Sequence, residues 1–117
     1  MSYKQYNNLI DVNSRGAVIL GPEVVCDGFR YNAKCRVQTH VHTDHMDNFD
    51  TSKGHQDIYV SNESYDLLVL EKNADLPYRN NFISLNYSEP NGVGDCEIEL
   101  ISSGHMLGTV QTKVTLP

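Results

Sequence analysis

A chain of 117 residues is long enough for one small domain with one modest core. Its 39% hydrophobic and 21% charged residues exclude a disordered chain. A net charge of −6 and a pI near 5.2 weigh against broad electrostatic binding of nucleic acid, which favours a basic face. A nucleic acid held through metal ions stays compatible with that charge. The nearest thing to a basic cluster is Arg30, Lys34 and Arg36.

In chain order, "MSYKQYNNLIDVNSRGAVIL" contains no long apolar run, which predicts neither a secretory signal nor a transmembrane helix. "AVIL" (17–20) and "EVVCDGF" (23–29) read as short strands separated by a turn at Gly21-Pro22. "KCRVQTH" (34–40) reads as a third strand and "DIYVS" (57–61) as a fourth. "SNESYDLLVLEKN" (61–73) is the one clear helix: Ser61 or Asn62 can cap it, and Glu63 suits its first turn. Its stripe of Tyr65, Leu68 and Val69 reads as core packing. "NFISLN" (81–86) is a fifth strand, and "NGVGD" (91–95) lies between strand-like runs. "CEIELIS" (96–102) and "TVQTKVTL" (109–116) alternate as half-buried strands do. The expected fold class is α/β, a mixed and antiparallel β-rich layer with one helix. No helix follows the last strand before Pro117, so a second copy of the chain or further residues are expected to cover a sheet face. Cys26, Cys35 and Cys96 are odd in number and form no C-x-x-C pair, which predicts buried reduced thiols and a cytoplasmic location.

The chemistry concentrates in "VQTHVHTDHMDNF" (37–49), where His40, His42 and His45 fall within six residues and Asp44 lies among them. In an extended segment His40 and His42 point to the same side. The turn-forming residues that follow would aim Asp44 and His45 back toward the same cavity. Imidazole nitrogen and carboxylate oxygen suit zinc, manganese or iron in hydrolytic sites, and four such groups exceed the needs of one ion. His55, alone, reads as a surface residue, and Met46 and Phe49 as packing residues. In "SSGHMLGTV" (102–110), Gly104 and Gly108 allow a tight turn that projects His105, a candidate further ligand. Asp27 ends an apolar strand shortly before the cluster. Its functional reading is a supporting carboxylate behind the ligands, accepting a hydrogen bond from a ligating histidine or a bound water.

H-x-H-x-D-H after a strand, with G-H-x-L-G downstream, resembles the metallo-β-lactamase fold. "VVCDGF…THVHTDH" and "SSGHMLG" look most like its nucleic-acid branch, the DNA cross-link repair and mRNA 3′-end-processing nucleases. The resemblance covers roughly residues 17 to 117. It implies that His40, His42 and His105 hold one divalent ion, most simply zinc, with manganese or iron as substitutes. It implies that Asp44 and His45 help hold a second ion, that Asp44 orients the attacking water, and that Asp27 matches the first acidic motif. The implied activity is metal-assisted hydrolysis of RNA or DNA. The family pattern also carries a bridging aspartate and a further histidine after the third motif. No Asp, Glu or His follows His105 here. The expectation is therefore one partial domain over residues 1–117, the first half of a four-layered αββα sandwich with a weak second metal site. A thioester or lactone hydrolase of the same fold, and a non-catalytic metal-binding or assembly module, are the alternatives. Half a sandwich is also expected to self-associate through an uncovered apolar face.

Overall fold

The structure is a computed structural model that describes residues 10–13, 17–41, 46, 48–71, 76–103 and 109–116. Two sheets carry the described residues. The first has strand order β1 (Ile10–Val12), β2 (Val18–Leu20), β3 (Val24–Cys26), β4 (Cys35–Val37), β5 (Asp57–Ser61) and β6 (Phe82–Leu85). Its first three strands run antiparallel, and β3 through β6 run parallel. The second sheet is the antiparallel set β7 (Asn91–Val93), β8 (Cys96–Ser102) and β9 (Val110–Thr115).

Parity along the central strands explains the layering. Val24, Cys26, Cys35 and Val37 point to one face of the first sheet. There they meet Val93, Ile98, Leu100 and Val110 of the second in an apolar cluster. Ile58, Val60 and Phe82 point to the other face and pack with Met46, Phe49, Leu68 and Leu76. Two helices supply that cover: α1 (Phe49–His55) and α2 (Asn62–Glu71). The result is a helix layer over two packed sheets, with β7–β9 covering the face of the first sheet that carries Val24, Cys26, Cys35 and Val37.

Several expectations hold. The β2–β3 turn falls at Gly21-Pro22. Ser61 caps α2 by accepting the Ser64 backbone N–H on its Oγ at 3.2 Å. Leu68 is fully buried, and Tyr65 stacks on Phe82 with ring centroids 4.6 Å apart. Strand β8 matches the alternation of "CEIELIS" residue for residue, with Cys96, Ile98 and Leu100 inward. The three cysteines are free and buried.

Others needed correction. The described residues form two α-helices where the sequence suggests one, because α1 lies on "FDTSKGH", a poor helix sequence held by burial of Phe49 and Ser52. "NGV" is strand β7, and Gly94 at φ +57° makes the tight return into β8. Arg36 is no part of a basic surface cluster: it is fully buried.

Candidate metal centre

Ligand sites in parallel sheets form beyond the carboxyl ends of the strands, where backbone diverges into loops. β3 and β4 are adjacent parallel strands, paired Cys26 to Val37, and both end at this edge. Asp27 follows β3 directly, and Gln38, Thr39 and His40 follow β4. The Asp27 N–H donates to the Val37 carbonyl at 3.1 Å, and the Gln38 N–H donates to the Tyr59 carbonyl at 2.9 Å. These bonds carry the ladder past the formal strand ends and fix the backbone on which His40 is mounted.

Asp27 has φ 54°, the left-handed region that Asp tolerates better than most residues. Gly28 must follow it closely packed: a Cβ there would lie 2.3 Å from the Cβ of Ala17. The Asp-Gly pair thus turns the chain sharply and points the carboxylate across to β4. It receives two bonds from one residue. The Thr39 backbone N–H donates to Asp27 Oδ1 at 2.7 Å, and the Thr39 hydroxyl donates to Oδ2 at 2.5 Å. The same hydroxyl oxygen lies 3.0 Å from Nδ1 of His40, which is 8% exposed. Asp27 therefore reaches His40 through Thr39, a residue the sequence reading passed over as an ordinary strand threonine.

A second chain of side chains supports the same segment from the helix face. Arg36 Nε donates to Gln38 Oε1 at 2.9 Å, and Gln38 Nε2 donates to the His40 carbonyl at 2.8 Å. Arg36 also donates to Ser52 Oγ at 3.2 Å and lies over the Phe49 ring, 5.4 Å from its centroid. A wholly buried guanidinium needs such partners. Sequence reading misses this network because charge is expected outside; the signal that could have found it is the polar alternation Arg36, Gln38, His40.

The second motif joins the first through the backbone. The Val110 N–H donates to the Thr39 carbonyl at 2.9 Å, while the Ser103 N–H donates to the Thr109 carbonyl at 3.2 Å and closes the base of the β8–β9 loop. Val110 is thereby held beside Thr39, the residue preceding His40. His42, Asp44, His45 and His105 lie outside the described residues, as do Gly104 and Gly108. Among the described residues no group of three His, Cys, Asp or Glu side chains gathers as a metal site. Asp27 and His40 are the candidates whose placement is described. His55 is exposed on α1, its Nδ1 2.9 Å from the Thr51 carbonyl, and Met46 and Phe49 are buried in the helix-side core. No helix among the described residues is long and apolar enough to cross a membrane.

No family model matches the chain, and no curated relative does. A solved structure does: a Cronobacter sakazakii metallo-beta-lactamase, HARLDQ motif mutant S60, with a TM-score of 0.65 at 14% identity. The match covers 86% of this chain and 52% of the other, so the chain spans about half the length of that neighbour. The fold is that of a metallo-β-lactamase portion.

Proposed function

We propose that this chain is the metal-holding N-terminal portion of a metallo-β-lactamase-fold hydrolase that cleaves phosphodiester bonds of RNA or DNA. The bond from the Val110 N–H to the Thr39 carbonyl carries the reading, because it ties the strand entering H-x-H-x-D-H to the strand leaving G-H-x-L-G. The nuclease assignment draws further support from the resemblance of the "CDGF", "THVHTDH" and "SSGHMLG" stretches.

The donor set fits a divalent ion. The Thr39 contact engages Nδ1 of His40, so Nε2 is the nitrogen suited to ligation. His40, His42 and His105 would hold one ion, and Asp44 and His45 would help hold a second, with zinc the best match to a nitrogen-rich set and manganese or iron as alternatives. Such ions supply a lowered pKa for bound water and neutralise charge on phosphate. Asp44 would orient the attacking water. Asp27 and Thr39 fix the His40 ring, and Arg36 with Gln38 fixes its backbone. The three buried reduced thiols suit the cytoplasm.

We also propose that the chain self-associates. β9 is an edge of its sheet among the described strands. It borders an apolar groove of about 210 Å3 lined by Ile10, Leu20, Gly21, Thr112, Val114 and Leu116. Such an edge pairs readily with another chain.

Elemental analysis after extensive dialysis tests the core of the proposal. Retained zinc, manganese or iron that is lost in the double variant His40→Ala, His42→Ala is expected, with retention falling at acid pH because imidazole ligates when neutral. No retained metal overturns it. Labelled single-stranded RNA and DNA, beside a thioester and a lactone, then decide the substrate class. Turnover by these 117 residues alone is expected to be weak, since no Asp, Glu or His follows His105.

A further inference from the structure

We infer that Thr39 is a positioning residue that sets the tautomer of His40: the Asp27 carboxylate, acting through the Thr39 hydroxyl, holds the imidazole proton on Nδ1 and the lone pair on Nε2. The hydroxyl has one proton and two neighbours. Its oxygen is 2.5 Å from Asp27 Oδ2 and 3.0 Å from His40 Nδ1. An oxygen–oxygen separation that short is typical of a hydroxyl donating to an ionised carboxylate. A carboxylate accepts only, so the proton must lie on that bond. The oxygen can then only accept from His40, which puts a hydrogen on Nδ1. The second bond to Asp27, from the Thr39 backbone N–H at 2.7 Å, prevents the carboxylate from turning away. The left-handed backbone at Asp27 and the close packing of Gly28 on Ala17 hold it in line.

The relay predicts an inversion by a single isosteric change. In Asp27→Asn the Thr39 N–H still requires an acceptor, so the amide oxygen stays on that side and the amide NH2 faces the Thr39 hydroxyl. The hydroxyl then accepts from the amide, which frees its own proton to donate to Nδ1. The imidazole proton moves to Nε2. A purely structural Asp27 would not produce that reversal.

The deduction about the ring is independent of any ion; its use, presenting Nε2 to a metal, rests on the function proposed above. The test is two-bond 1H–15N correlation spectroscopy of the metal-free 117-residue protein at pH 8, with the His40 signal identified by its loss in His40→Gln. An Nδ1–H ring is expected in the wild type and in Thr39→Ser, and an Nε2–H ring in Asp27→Asn. In Thr39→Val the Nδ1–H preference should be lost. Zinc affinity, read by competition with a chromogenic chelator, should fall about tenfold to a hundredfold in Asp27→Asn and Thr39→Val and recover in Thr39→Ser. An Nε2–H ring in the wild type, or an unchanged ring in a folded Asp27→Asn, overturns the relay whatever the metal result. A wild type that binds no zinc overturns the metal reading instead, and the spectra still decide the relay.

Discussion

The two faces of β4 are built from opposite materials. Toward the second sheet, Cys35 and Val37 meet Val24, Cys26, Val93, Ile98 and Leu100, without a charged group in the cluster. Toward the helices, the same strand and its extension place Arg36, Gln38 and His40, all buried, in a connected polar chain with Ser52. Apolar burial is non-directional and supplies stability, whereas hydrogen bonds among buried groups fix positions at little net gain. One face therefore holds the fold together and the other aims the site, and substitutions should separate the two.

The largest contrast is chemical. Burial pushes the Cys26 thiol from 9.0 up to about 12, against smaller opposing help from a hydrogen bond with Thr112, and burial also raises Cys35 and Cys96. At pH 8 the thiolate fraction of Cys26 should fall about a thousandfold on folding from ionisation alone. A disulfide-exchange reagent should leave the native thiols untouched and consume all three on unfolding. The same shift fixes the pH trend. Between pH 9 and about 12 the folded protein binds the proton that the unfolded chain has lost. This contribution is present below pH 9 and is lost as pH rises through that window. Alkaline urea titrations check it; rising stability there would contradict the burial of Cys26.

Next in size is Leu100→Ala, which empties part of the sheet interface where Leu100 is fully buried. A loss of about 2–5 kcal/mol in urea unfolding is expected, with zinc affinity of the folded fraction unchanged. Arg36→Met should reach the site as well as the stability. It removes the donor to Gln38 and Ser52 at a cost of about 1–3 kcal/mol, and it weakens zinc binding because Gln38 no longer holds the His40 carbonyl firmly. Equal effects of both variants on metal affinity would break the division between the faces. The smallest effect belongs to the groove beside β9. Leu116→Lys, at an exposed residue of the groove lining, should shift sedimentation at micromolar concentration toward a monomer of 13.2 kDa while leaving unfolding within about 0.5 kcal/mol of wild type. A wild type that already sediments as that monomer would remove the case for self-association.

Legibility followed the same division. The apolar face was readable because alternation is a strong signal: "CEIELIS" and "DIYVS" coincide with β8 and β5. β1 was not, since all three of its residues are exposed and its pairing with β2 is a tertiary fact. α1 escaped because Gly54 and Thr51 disfavour helix and Asn48 enters at φ 58° without a side-chain cap, so packing alone decides it. At the site, Asp27 could be chosen from its place after an apolar strand. Thr39 could not, because its role depends on which carboxylate and imidazole the parallel pairing of β3 and β4 brings within reach of its hydroxyl.

The bond between Val110 and Thr39 joins positions far apart in the chain, across two different sheets. A metal site assembled from both sides of that bond cannot exist until the sheets have docked. The unfolded chain keeps only the weak local cluster of His40, His42 and His45. Whatever occupies the site then favours the folded ensemble by mass action, about 2.7 kcal/mol at a ligand concentration one hundred times its Kd. Under the metal-holding function proposed above, metal supply would thus govern how much of this small chain survives proteolysis, quite apart from any reaction.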